Sequence, residues 1–342
     1  MISESLIAII KNGNDGFPLT KAYKLGHRYY SDFIEMMNYF RDNLSNDDYT
    51  SIEKKVISGS SSDEQTYLQC MCELTVLYYV MRNYGNEYFK YEPKYNGGYN
   101  PECSFGYKQK TINIEVKCPN MIKRMEVESH DTLKIFSAER IPEHEDVINE
   151  LKNIIAVNIE KSEYSGIEEI PRMDNKLKDY LEHSQKKFPL GEDYFNILVI
   201  TLEIVQDIDE WYSYLLGDNG VFTHNSFINS NYDKVDAVLL STSVCGHRAW
   251  QNYKGINVWH LEETINLLIL DPRKEHTDKG KFYFDCGMKM FGPLTKEFLI
   301  FQTQLDKDRE KEMKLPSSED AYIRFKETDL MICSEFIENL KK

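Results

Sequence analysis

Apolar positions recur at helical spacing over the first 84 residues of the chain and at strand spacing in several stretches after that. Leu6, Ile9 and Ile10 open an amphipathic helix, which the Asn-Gly-Asn-Asp-Gly-Phe-Pro turn at 12–18 interrupts. The pattern resumes from Leu25 to Leu44, where Tyr29, Tyr30, Phe33, Met36, Met37 and Phe40 form an aromatic stripe that reads as core. A Ser-Gly-Ser-Ser-Ser-Asp run at 58–63 predicts a linker and then the cap of a strongly apolar helix from Glu64 to Tyr84, stopped by Gly85.

Beyond that helix, Tyr88–Tyr95 predicts a first strand, and Asn-Gly-Gly at 96–98 the turn out of it. Ile112, Ile114 and Val116 alternate with Asn113, Glu115 and Lys117, the period of a half-buried strand. Phe105–Lys110 predicts a hairpin turn before it, punctuated by Gly106. Helices are expected near 143–159 and from Asp174 to Phe188. The short continuous apolar runs Asn196–Leu202 and Val235–Leu240 predict strands buried on both faces. Ile256–Leu261 predicts an edge strand, Lys281–Cys286 a short strand, and the segment capped at Pro316 a last helix. The order is that of an α/β core with a mixed central sheet flanked by helices. The expected organisation is a helical N-terminal region over 1–61, the core over 62–270 and a mixed α/β C-terminal extension over 271–342.

Charge changes this picture locally. The net charge of −15 argues against indiscriminate nucleic-acid binding. Yet Lys108, Lys110, Lys117, Lys123 and Arg124 face only Glu115 between Tyr107 and Arg124, the most basic neighbourhood of the chain. Seven irregularly spaced cysteines, with no CxxC pair, read as reduced thiols and not as a disulfide or zinc framework. Cys245, His247 and His224 lack a third orienting group, so they read as loop residues and not as nucleophile and base. No Gly-rich phosphate cradle is present. No apolar run approaches the roughly 18–20 residues of a membrane span. The N-terminus has no basic signal-peptide start, so no membrane association and a cytoplasmic location are expected.

The chemistry concentrates at 100–119. On a strand, Glu115 and Lys117 point to one face, about 6.5–7 Å apart. A hairpin folded back before them brings Glu102 beside Glu115, with Glu92 the rival acid one strand earlier. Two carboxylates and an ammonium converging in this way suit a divalent cation and an activated water. Other (D/E)xK triplets, Glu53-Lys-Lys55, Asp174-Asn-Lys176 and Glu312-Met-Lys314, fall in polar helix-like stretches. Only Glu115-Val-Lys117 lies in an alternating strand with an acid one hairpin upstream.

Pro101-Glu102 followed by Glu115-Val116-Lys117 resembles the PD-(D/E)xK nuclease superfamily, with Glu where Asp is more usual. The resemblance spans roughly 62–245 and implies a restriction-endonuclease-like core. It implies Mg²⁺, replaceable by Mn²⁺, held by Glu102, Glu115 and the Val116 carbonyl, with Lys117 placing the attacking water. A helix before the first core strand then contributes an acid, Glu73 in preference to Glu64. Gln185 or Lys186, on the helix before the fourth strand, would position water or phosphate. Lys108, Lys110, Lys123 and Arg124 would contact the substrate. The expected activity is phosphodiester hydrolysis, with DNA as the expected nucleic acid. A role in restriction or phage defence, as a homo-oligomer or with a partner protein, is compatible with it. The alternative is a non-catalytic assembly or binding module on a degenerate nuclease fold.

Overall fold

The structure, a computed structural model, describes residues 2–302 apart from 14–16, 61, 86–87, 96–99, 131, 137–145, 147–148, 151–152, 155–166, 171–172, 204, 219, 224–231, 254, 293–294 and 301. Helices α1 (Glu4–Asn12), α2 (Pro18–Lys24), α3 (Arg28–Asn43) and α4 (Asn46–Ser60) carry the N-terminal pattern, and α5 (Glu64–Tyr84) follows. Asp63 caps α5 by accepting from the Thr66 N–H, as the Ser-rich run before it predicts.

A six-stranded mixed sheet is ordered β1-β2-β3-β6-β7-β8, with β1 (Lys90–Tyr91), β2 (Cys103–Tyr107), β3 (Lys110–Lys117), β6 (Tyr194–Thr201), β7 (Ala237–Ser241) and β8 (Asn266–Leu270). The first three strands meander antiparallel, β3, β6 and β7 run parallel, and β8 closes the edge antiparallel. Helices flank the sheet. Ile112, Ile114 and Val116 share one core with Phe195, Ile197, Val199 and the apolar positions of α5. Leu198, Ile200, Val238 and Leu240 alternate with that set and are buried too, so β6 and β7 bury both faces.

The chain divides into two compact units, Met1–Cys118 with Leu181–Lys342, and Pro119–Tyr180. The expected boundaries at 61/62 and 270/271 do not divide the packing. Leu6 and Phe33 from the N-terminal helices, Ile114 from the sheet and Phe282 from the C-terminal region belong to one hydrophobic cluster. The second unit carries α6 (Ile122–Ser129) and a parallel pair, β4 (Leu133–Phe136) and β5 (Ile167–Ile170). Helix α7 (Asp174–Lys187) begins in the second unit and ends in the first, followed by α8 (Val205–Leu216) and α9 (Ser243–Arg248).

Several expectations change, each for a local reason. The first strand shrinks to Lys90–Tyr91 because Glu92 turns to φ 41° and Pro93 has no N–H to give a ladder. The hairpin turn falls within the expected Phe105–Lys110 stretch, at Lys108–Gln109, with φ of 47° and 67°. That is a two-residue loop of the type that follows strand twist. Gly106 lies within β2, where an added Cβ would come to 3.3 Å from Tyr88 Cβ.

The edge strand is Asn266–Leu270 and not Ile256–Leu261. Around 257–259 side chains take the place of a ladder: Asn257 N donates to Glu263, and Trp259 N to the Asn257 amide oxygen. Lys281–Cys286 is helical, because Thr277 accepts from the N–H groups of Lys279 and Gly280 and starts α10 (Asp278–Phe282). Cys245 and His247 lie on α9, not in a loop. The helix expected near 143–159 falls largely outside the described residues, as do the turn at 96–98, His224 and the last helix. No described helix is long and apolar enough to cross a membrane.

At the start of the parallel strands, Asp236 is fully buried. It accepts from the Asn196 N–H at 2.8 Å and pairs with Lys279 at 2.9 Å and Lys274 at 2.5 Å. Beside it the buried Asn113 donates from its amide to Asn196 across β3 and β6 at 2.8 Å. A one-residue slip of register would break both contacts.

Candidate active site

Cys103 pairs with Ile114 in the β2–β3 ladder, so Glu102, one step beyond, stands across from Glu115. Alternation puts Asn113, Glu115 and Lys117 on the face opposite the Ile112–Ile114–Val116 core. Glu115 is fully buried, and its Oε1 meets two ammonium groups, Lys117 at 2.5 Å and Lys187 at 2.7 Å. Lys187 ends α7 and also lies 4.0 Å from Glu102 Oε1. The two carboxylates named from the hairpin are therefore brought together, sharing one lysine.

A second lysine extends the cluster. Lys55, from α4, is 2.9 Å from Glu102 Oε2 and pairs with Glu73 of α5. Glu73 lies within the apolar face of its helix and is nearly buried. Gln69, one turn earlier, donates to Glu73 at 2.5 Å and to the Val116 carbonyl at 3.1 Å, and accepts from the Cys118 N–H at 2.6 Å. It ties α5 to the end of β3. The Val116 carbonyl, expected to face a metal, thus receives the Gln69 amide.

The ionisation states follow from burial. Desolvation pushes the Glu73 carboxyl up to about 7, helped by Glu102, while Lys55 pulls the other way. Burial also raises Glu115, against the pull of Lys117. Burial works against the charge of Lys55, but Glu73 and Glu102 outweigh it and hold the ammonium above its ordinary range.

The raised Glu73 has a stability consequence. A carboxyl that binds its proton more tightly in the folded than in the unfolded chain stabilises the fold fully below about 4.5 and loses that contribution as pH rises to about 7. Glu73→Gln is therefore expected to flatten the decline of stability between pH 4.5 and 7. The difference from wild type is on the order of 3 kcal/mol at most. Urea unfolding at half-unit pH steps measures it, and parallel profiles for the two proteins would refute it.

The remaining expected site residues lie elsewhere. Gln185 accepts from the Lys234 N–H at 2.8 Å and so holds backbone, while Lys186 is exposed. Glu64 pairs with Arg248 at 3.2 Å. Glu92 is 4.0 Å from Lys55, with its side chain half exposed. Lys108 and Lys110 stand at the hairpin turn, the far end of β3 from Glu115, roughly 16 Å along the strand for Lys110. Lys110 donates to the Glu192 carbonyl at 2.5 Å. Lys123 and Arg124 belong to α6 of the second unit. His247 is enclosed between the hydroxyls of Tyr29 (2.9 Å) and Thr75 (2.8 Å), and burial depresses its pKa to about 3.

Lys55, Gln69 and Lys187 are the members that hairpin logic did not reach. Helical phase does carry a signal for the lysines. Lys55 lies three residues after the buried Ile52, and Lys187 three after the buried Ser184, whereas Lys186 points away.

The donor set consists of carboxylates and a carbonyl, which suits a hard cation. Among the described residues, no three His, Cys, Asp or Glu side chains form a ready-made metal shell. Two adjacent carboxylates still fit Mg²⁺, which typically takes one or two and keeps several waters. No family model, curated protein or solved structure matches the chain.

Proposed function

We propose that this chain is a metal-dependent nuclease with a restriction-endonuclease-like core, hydrolysing phosphodiester bonds of DNA. The observation that carries the reading is the convergence of Glu102 and Glu115 at the end of adjacent strands, with Lys117 on the face of Glu115. The succession of α5, an antiparallel meander, α7 and two parallel strands agrees with the superfamily order. Glu73 on the helix before the meander joins the same cluster through Lys55.

Glu102 and Glu115 would hold Mg²⁺ or Mn²⁺, which when bound supplies Lewis acidity and an acidified water. Lys117 cannot ligate a metal, since an ammonium offers only donors. It holds the attacking water by hydrogen bonding and offsets charge growing on the phosphate oxygens. Lys187, which meets the same Glu115 oxygen as Lys117, would receive a phosphate oxygen. Gln69 fixes the end of β3 against α5, so that Glu115 and Lys117 keep their aim. Restriction or phage defence is the biological role within this proposal.

One observation favours a second reading, a non-catalytic module. Each of the three carboxylates is already paired with a lysine, as a closed structural network would be. Incubating the protein with plasmid, linear DNA and RNA in Mn²⁺ separates the two. The nuclease is expected to cut DNA, and to stop with EDTA or in Glu115→Gln. Intact substrates throughout, with no carboxylate-dependent Mn²⁺ binding, would establish the module instead.

A further inference from the structure

Lys55 enters the cluster from α4, a helix that contributes no carboxylate to it. Its ammonium lies between Glu73 and Glu102, with Glu92 4.0 Å away on the outer side. The two oxygens of Glu102 face different lysines: Oε2 faces Lys55 at 2.9 Å, and Oε1 faces Lys187 at 4.0 Å. Three carboxylates gathered this closely repel one another unless cations stand among them. Lys55, Lys117 and Lys187 balance Glu73, Glu102 and Glu115 one for one.

We infer that Lys55, anchored on Glu73, is an internal counter-cation that competes with a divalent ion for Glu102, and so sets how tightly the site takes up that ion. The inference rests on the reading of Glu102 and Glu115 as metal-binding carboxylates. A lysine is suited to the task. Its charge is compact and its stem flexible, so it can leave one geometry for another. The side chain retains 28% of its exposure, which leaves it a route toward water. The second oxygen of Glu73 is held by Gln69 and stays in place when the ammonium leaves Glu102. A divalent ion arriving about 5 Å from a lysine charge meets a repulsion worth on the order of tenfold in affinity, even at the dielectric constant of water.

Mn²⁺ binding to the full chain, followed by the paramagnetic resonance of the free ion at pH 8 without substrate, tests this. Lys55→Met is expected to lower the Mn²⁺ dissociation constant on the order of tenfold. Adding Glu115→Gln should abolish binding in both backgrounds. Lys55→Gln, which keeps an amide donor for Glu102, should tighten binding similarly and carries the comparison if the methionine variant does not fold, as judged by thermal melting. Tighter binding in the folded variants supports the inference, including where wild type binds too weakly to detect. Wild-type binding that depends on Glu115 but is unchanged or weakened by the Lys55 substitutions overturns the counter-cation and leaves the metal reading standing. No binding in wild type or in either variant overturns both.

Discussion

Lys117→Ala is expected to slow DNA cleavage by on the order of 10²-fold or more while leaving the protein folded. The rate falls because the only group on β3 that can offset negative charge beside Glu115 is gone. The fold survives because the buried Glu115 is not orphaned. Lys187 still meets its Oε1 at 2.7 Å, so the large penalty for an unpaired interior charge is not incurred. The lysine is also the most exposed part of the pair, with 22% of its side chain accessible against none of the glutamate's. Metal affinity should rise, as for the Lys55 substitutions, because a positive charge beside Glu115 leaves. Single-turnover cleavage in saturating Mn²⁺, beside a thermal melt, measures both quantities. Undiminished cleavage in a folded variant would remove the catalytic reading of the Glu-Val-Lys triplet.

The second large effect lies away from the site. Asp236→Ala is expected to destabilise the fold by about 3–5 kcal/mol, the cost of breaking a buried ion pair from one side. The substitution strands two lysines. Lys279 is nearly buried and meets both Asp236 oxygens, at 2.9 and 3.1 Å, while Lys274 keeps carbonyl contacts to Asp233 and Val235. It also removes the acceptor of the Asn196 N–H at the first turn of the β6–β7 pairing. Chemical denaturation compares the variants, and Asp236→Ala with Lys279→Met together should recover part of the loss. A cost below about 1 kcal/mol would show that the charge is better solvated than its burial implies.

How much of this was legible along the chain depends on the range of the interaction. The pairing of Glu102 with Glu115 was legible because a hairpin is local. Alternation sets the face, and one tight turn sets the partner. The turn was legible as the stretch Phe105–Lys110, but its two central residues were not, since Lys108 and Gln109 adopt left-handed angles that favour glycine elsewhere. Glu73 was legible as an acid in an apolar helical run, which must find a partner. The partner was not. Lys55 belongs to Glu53-Lys-Lys55, a triplet set aside as a false match for the metal motif, and as a motif it is one. Its side chain nevertheless reaches the site, from 47 residues before Glu102, through packing of α4 on α5 that no short pattern encodes. Trp259 was missed as a loop residue for a related reason. Its indole N–H is spent on the Tyr29 carbonyl 230 positions away, so an apolar run looked like a strand.

The interior position of β3 has a dynamic consequence. Its peptide groups are laddered to β2 on one side and β6 on the other, and its apolar side chains enter the central core. Amide protons on such a strand exchange with solvent only when the sheet comes apart, so the protection of the Ile112–Val116 segment measures global stability. Glu115 is thus mounted on a slowly opening part of the molecule. Lys187 reaches it from the last residue of α7, and helix ends fray at a far lower free-energy cost. Glu115 and Lys117, both on β3, form the slowly opening part of the centre, and Lys187, at the end of α7, is the member with most freedom to adapt.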